Sequence, residues 1–314
     1  MIDWLQIVGG GLLLYFGADW FVGGASRLAR SLRVPQMIIG LTVVSYGTSL
    51  PEAIVGLQAA ASGHGGLVIG NVIGSNIANI GLILGLAALI QPIAVDGSLR
   101  ARELPVLVVS TALIPLALLD GVIHWWEGGL LLMGSMGYTL WMLRAARTSM
   151  GRSSVPSGEG EPAPGSPLLA LVTLVVGLGG LLAGGSLFVT GAVSIARALG
   201  MSDRVVGLTI VALGTSLPEL VTSVVAARRG HSDIAVGNVI GSNIFNALFC
   251  LAGATLAGPV RAPLANLWLD LLGLFTLTAL LVAFTRRART IRRWEGALAL
   301  AIYLVLTATI ATRG

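Results

Sequence analysis

The sequence predicts an all-α integral membrane protein of about ten transmembrane helices, arranged as two inverted-topology five-helix repeats. Three observations carry that prediction. Apolar stretches of about 20 residues, enough to cross a bilayer, recur along the whole chain. Charged residues make up 11% of the 314 positions, against about a quarter in a soluble domain. A block of 40 residues returns without gaps at an offset of 167, with 23 identities.

The apolar segments run over 4–26, 36–61, 66–91, 104–119, 122–143, 168–196, 205–227, 233–257, 264–285 and 294–311. Helices are expected, because every backbone polar group must be satisfied inside lipid. The segments are too long, and too little alternating, for barrel strands. Residues 152–167, RSSVPSGEGEPAPGSP, read as a flexible linker. The expected organisation is a five-helix repeat over 1–150, a cytoplasmic linker over 151–167 and a second five-helix repeat over 168–314. Asp3 and the lack of basic residues before the first apolar run favour a spanning helix over a signal peptide there.

All 19 basic residues are Arg, and they cluster between the apolar segments. That is a topology signal, not a nucleic-acid surface. With the N-terminus outside, the inner loops hold Arg27, Arg30, Arg33, Arg100, Arg102, Arg144, Arg147, Arg152, Arg228, Arg229, Arg286, Arg287, Arg289, Arg292 and Arg293. The outer segments hold only Arg197, Arg204, Arg261 and Arg313. The expectation is a multi-pass protein of the plasma (inner) membrane with both termini outside. The single Cys250 lies in an apolar run, which excludes an intrachain disulfide framework.

The repeat carries the chemistry. GLTVVSYGTSLPE (40–52) returns as GLTIVALGTSLPE (207–219), and GNVIGSNIAN (70–79) returns as GNVIGSNIFN (237–246). Upstream, Gly17, Phe21, Val22, Gly24, Ala29 and Arg30 match Gly184, Phe188, Val189, Gly191, Ala196 and Arg197. An odd number of spans per half inserts the two copies in opposite directions, as in many secondary transporters. Packing alone would keep small and apolar residues, yet the identities also fall on Thr, Ser, Glu and Asn.

Glu52 and Glu219 are expected to be the only acids deep inside the spans, with no Arg at their depth. A carboxylate there costs several kcal/mol unless a proton or a cation neutralises it. Pro51 and Pro218 free carbonyls in the preceding turn, and Gly47 and Gly214 loosen the same stretch, so a broken helix is expected. Thr48, Ser49, Thr215 and Ser216 put hydroxyls beside the carboxylates. Asn71, Ser75, Asn76 and Asn79 lie in the next span, with Asn238, Ser242, Asn243 and Asn246 as counterparts. Ser75 and Asn79, four apart, share one helix face, as do Ser242 and Asn246. The sum is an all-oxygen site suited to a hard cation such as Ca2+ or Na+. Transition metals would call for His, Cys or Met in these motifs. His64 and His231 read as loop residues and His124 as interfacial beside Trp125 and Trp126. Gly70, Gly74, Gly237 and Gly241 are expected to let helices approach closely. The chain has no Lys and no phosphate-binding loop.

The paired GTSLPE and GNVIGSN motifs resemble the two alpha-repeats of the Ca2+/cation antiporter superfamily, in its prokaryotic Na+/Ca2+ exchanger branch. The resemblance spans nearly the whole chain. It implies that Glu52 and Glu219 bind Ca2+ and Na+ in competition, supported by Thr48, Ser49, Thr215, Ser216 and backbone carbonyls near Thr42 and Thr209. It also implies that Ser75, Asn79 and Ser242 line the ion sites. At Asn246 some prokaryotic relatives carry Asp, so this site has two formal negative charges.

The expected function is a secondary antiporter exchanging Ca2+ for Na+ by alternating access, without enzyme activity or cofactor, acting as a monomer in the lipid bilayer. H+/Ca2+ exchange on the same glutamates is the alternative. The inverted repeat argues against a channel, and the spans hold no HExxH motif or paired Asp for a hydrolase. A non-transporting scaffold would not need buried carboxylates.

Overall fold

The computed structural model describes residues 2–149, 166–201, 210 and 212–313. The first half contains α1 (Ile2–Ser31), α2 (Gln36–Thr48), α3 (Leu50–Ala61), α4 (Gly65–Ile90), α5 (Leu104–Ala117) and α6 (Trp125–Ser149). The second contains α7 (Pro167–Ala198), α8 (Ala212–Thr215), α9 (Leu217–Arg228), α10 (Ser232–Ala257), α11 (Trp268–Arg287) and α12 (Arg293–Arg313). Among the described residues six helices are long and apolar enough to cross a membrane, and α2 with α3 forms a further bent pair.

Between the helices lie two-residue strands: β1 (Ile93–Ala94), β2 (Val122–Ile123), β3 (Val260–Arg261) and β4 (Thr290–Ile291). β1 pairs antiparallel with β4, and β2 with β3, so each ribbon ties one half of the chain to the other. Shifting β1 by the repeat offset lands on β3. The two ribbons therefore exchange when the halves are swapped.

Burial separates a centre from a periphery. In α10, 94% of the apolar window is buried, and in α4 72%, against 33% in α1 and α7. The GNVIGSN helices are thus the core of the bundle, and α1 and α7 lie across its outside.

The α1–α7 contact is backbone on backbone. A Cβ added at Gly10, Gly17, Gly24, Gly177, Gly184 or Gly191 would lie 2.4 to 2.7 Å from backbone atoms of the facing helix. The glycines recur every seven residues, two turns apart, so they make one smooth stripe on each helix. Arg27 donates to Thr173 Oγ1 at 3.0 Å near one end of this pair.

The two halves are not packed alike. α1 packs along α9, where Asp19 forms an ion pair with Arg229, and Arg229 also donates to the Asp19 carbonyl. The repeat-equivalent helices, α7 and α3, have no comparable packing. The repeat-equivalent residues are Ser186 and Ser62, which cannot form an ion pair.

Gly237 and Gly241 behave as expected of close-approach glycines: a Cβ there would meet the Met37 carbonyl at 2.9 Å and the Leu41 carbonyl at 2.6 Å. The segment that would face Gly70 and Gly74 in the same way, around 204–208, lies outside the described residues. Among the described residues nothing lies within 4 Å of a Cβ at either. Gly47 and Gly214, expected to loosen their segments, are contact points: Leu178 and Phe21 crowd the first, and Val189 the second.

Candidate functional site

The first motif folds as two helices joined at a break. α2 widens into a π turn over Gly40–Val44, closes at Thr48, and stops at Ser49, whose φ of −84° and ψ of 9° leave the helix. α3 starts at Leu50 with Pro51 in its first turn, bent 45° from α2. Proline without an N–H suits a first turn and cannot continue the preceding one. Ser216, at φ −89° and ψ 7°, repeats the break, and α9 starts at Leu217 with Pro218 in its first turn. Glu52 and Glu219 therefore each sit in the first turn of a helix, where unpaired N–H groups favour negative charge.

Both carboxylates are 1% exposed. Each is held by the other half of the chain. Ser49 Oγ donates to Glu219 Oε1 at 2.8 Å, and Ser216 Oγ donates to Glu52 Oε1 at 2.9 Å. Thr215 stands beside Glu52, and Thr48 beside Glu219. Thr48 Oγ1 also meets Asn238 Oδ1 at 3.1 Å. The second motif supports the arrangement from behind. Asn71 Nδ2 donates to the Glu52 carbonyl at 3.0 Å and Asn238 Nδ2 to the Glu219 carbonyl at 3.4 Å. One oxygen of each carboxylate, Oε2, is buried with no hydrogen-bond partner among the described residues.

The core helices meet through four asparagines. Asn79 Nδ2 donates to Asn243 Oδ1 at 2.9 Å, and Asn246 Nδ2 to Asn76 Oδ1 at 3.3 Å. These bonds also exchange when the halves are swapped. Asn246 Nδ2 reaches Ser75 Oγ at 3.0 Å, whereas Ser242 Oγ is buried without a partner among the described residues. Both helices widen into π turns beginning at these asparagines, Asn79–Leu84 and Asn246–Cys250. Such widenings inside α-helices recur at functional sites.

Of the candidate residues, Glu52, Glu219, Thr48, Ser49, Thr215 and Ser216 come together around the carboxylates. Ser75, Asn79 and Asn246 join the asparagine cluster, and Ser242 is buried on the same helix as Asn246. Thr42 turns its hydroxyl to the Ile38 carbonyl at 2.6 Å, while its own carbonyl accepts from Ser45 Oγ at 3.2 Å. Thr209 lies outside the described residues, as does most of the 151–167 linker; Pro167 already belongs to α7. His64 and His231 lie at the turns that open α4 and α10, consistent with loop positions.

Carboxylates at depth are not confined to the two motifs. Asp19 lies within α1 and pairs with Arg229 from α9's C-terminal end. Glu103, 5% exposed, accepts a 2.9 Å hydrogen bond from Tyr138. Charge at a segment edge gave no signal for that burial. Asp19 has no acidic counterpart in the repeat, since it matches Ser186, whereas Glu103 matches Asp270 on a half-buried helix face.

Two carboxylates in a shell of hydroxyls and amides, contributed by two copies of one motif, thus lie inside a bundle of apolar helices long enough to cross a membrane. The family model of the sodium/calcium exchanger protein matches residues 2–144 and 169–312. The chain belongs to that family. It is 41% identical over 303 residues to an uncharacterized membrane protein of Methanocaldococcus jannaschii, covering 95% of each chain. It is 32% identical to the sodium/calcium exchanger MaX1 of Methanosarcina acetivorans, covering 96% of this chain and 97% of that one. Among solved structures, the sodium-calcium exchanger NCX_Mj soaked with 2.5 mM Na+ and 0.1 mM Ca2+ superposes with a TM-score of 0.85. The identity is 38%, covering 98% of both chains.

Proposed function

We propose that the chain is a secondary antiporter that exchanges Ca2+ for Na+ by alternating access, with the ions bound between Glu52 and Glu219. The observation that carries this reading is the reciprocal pair Ser49–Glu219 and Ser216–Glu52. Serine hydroxyls donating to both Oε1 atoms fix the carboxylates and leave both Oε2 atoms for a cation. Two formal charges balance one Ca2+ or two Na+. Unbalanced, they would be two buried anions at membrane depth, a cost of several kcal/mol that opposes switching. A loaded site is near neutral and switches. That rule couples the two fluxes.

The fold supports the rest of the reading. The helices form ten spans in two five-helix repeats of opposite orientation, over 1–150 and 168–314, joined by a cytoplasmic linker. Fifteen Arg on one side against four on the other support an orientation with both termini outside the plasma (inner) membrane. Thr48, Ser49, Thr215 and Ser216, backbone oxygens near Thr42 and Thr209, and Ser75, Asn79 and Ser242 supply further ligands, with Asn246 lining the site beside them. The smooth glycine contact of α1 on α7 is the sliding surface: without side chains interlocked across it, the pair moves at low cost. One chain holds the whole site, so it works as a monomer.

The test is substitution of the carboxylates. Glu52→Gln and Glu219→Gln keep shape and remove one charge each. Both abolish Ca2+ exchange in reconstituted vesicles. Retained exchange in either variant overturns the assignment.

A further inference from the structure

The asparagine cluster is symmetric in sequence and asymmetric in its hydrogen bonds. Asn76 sends Nδ2 to the Asn243 backbone carbonyl at 3.3 Å, so its Oδ1 is the atom that faces Asn246. Ser75 Oγ donates to the Val72 carbonyl at 3.2 Å and so offers Asn246 a lone pair. Both neighbours demand a donor, and Asn246 must present Nδ2. Turning its amide over would set two buried acceptors against each other. The Asn246 Oδ1 therefore points the other way, where Cys250 Sγ donates to it at 3.4 Å.

Asn79, the matched residue, has no such neighbour. Its Nδ2 is taken by Asn243, and its Oδ1 is buried without a partner among the described residues. The residue matching Cys250 is Ile83, fully buried and unable to donate. One carboxamide thus keeps a free oxygen and the other has its oxygen occupied.

We infer that Cys250 is a specificity-setting positioning residue: its thiol occupies the Asn246 oxygen and leaves Asn79 as the carboxamide of this pair that serves the ions. The inference rests on the proposed cation site between the repeats. The carboxamide that Cys250 holds reaches across to Ser75 and Asn76 of the other repeat, between the two copies of the motif. A buried amide oxygen with no donor is costly, and a cation relieves the cost at Asn79. At Asn246 a cation would first have to displace the thiol hydrogen. A neutral oxygen matters most for Na+, since Ca2+ draws chiefly on the two carboxylates.

The test reads the ion preference and the thiol separately. Cys250→Ala and Cys250→Ile, the second copying the matched residue, free the Asn246 oxygen. Half-saturating Na+ for exchange falls by about 2- to 10-fold, the ratio for about one hydrogen bond, and half-saturating Ca2+ moves less. Cys250→Ser keeps a donor and restores the wild-type ratio. Independently, the infrared S–H stretch of the chain's single cysteine lies at the position of a hydrogen-bonded thiol in the purified protein and shifts to the free position in Asn246→Leu. A free S–H band in the wild-type protein, or unchanged Na+ constants in both Cys250→Ala and Cys250→Ile, overturns the inference. The infrared result needs no transport, so it stands apart from a wild-type protein that fails to exchange ions, which would overturn the proposed function instead.

Discussion

The glycine stripe between α1 and α7 makes a sharp quantitative prediction. In Gly17→Ala the new Cβ would lie 2.6 Å from the Leu181 nitrogen and 2.9 Å from the Gly177 carbonyl oxygen. Ordinary contact begins at 3.4 Å, so the helices must separate by roughly 1 Å along this stretch. The obstructing atoms are backbone and cannot rotate aside. Overpacking of this kind costs about 1–3 kcal/mol. If the cost falls on the sliding step, turnover drops by about 5- to 150-fold at 1.4 kcal/mol per decade. Gly9 and Gly11 lie on the same helix with nothing within 4 Å of a Cβ. Gly9→Ala and Gly11→Ala therefore stay within about 0.5 kcal/mol of wild type. The assay is initial Ca2+ uptake in vesicles, with thermal melting in detergent and Ca2+ binding measured alongside. Gly17→Ala slows uptake while Ca2+ binding persists. If Gly17→Ala exchanges ions like Gly9→Ala, the backbone contact does not carry the motion.

Other perturbations test other contacts. Ser49→Ala and Ser216→Ala each remove a hydroxyl from the opposite carboxylate, and hydrogen bonds to charged groups contribute about 1.5–3 kcal/mol. Titration calorimetry should show Ca2+ binding weakened tenfold or more, by similar factors in both. Unequal losses, with one variant near wild type, would break the reciprocity. Asp19→Asn removes an ion pair whose partners are 25% and 39% exposed, so melting shifts by no more than about 1 kcal/mol and less at high salt; a larger or salt-independent loss contradicts that. Gly65→Ala pushes a Cβ to 2.3 Å from the Arg261 nitrogen, so it should melt lower than Gly66→Ala, which has nothing within 4 Å.

Much of the site is legible in the sequence because its chemistry is repeated. Glu52 and Glu219, and the hydroxyls beside them, stand out as polar identities that packing does not require. The break before each glutamate is legible from Pro51 and Pro218. It is not legible that the serine of one copy serves the glutamate of the other, because a repeat gives equivalence and not proximity. The π turns at Asn79 and Asn246 leave no signal in the apolar periodicity. Asp19 with Arg229, and β1 with β4, join segments about 200 residues apart, which periodicity cannot connect. Gly70 and Gly237 read alike, yet only the second meets a neighbouring backbone among the described residues.

The central claim is that Ca2+ and Na+ compete for one buried pair of carboxylates. The most direct measurement is radioactive Ca2+ uptake into proteoliposomes loaded with Na+, with a pH gradient imposed in separate vesicles. Uptake driven by the outward Na+ gradient, and lost when Na+ is equal on both sides, is the predicted result. Uptake that follows the proton gradient and ignores Na+ would contradict the account and make Glu52 and Glu219 proton carriers.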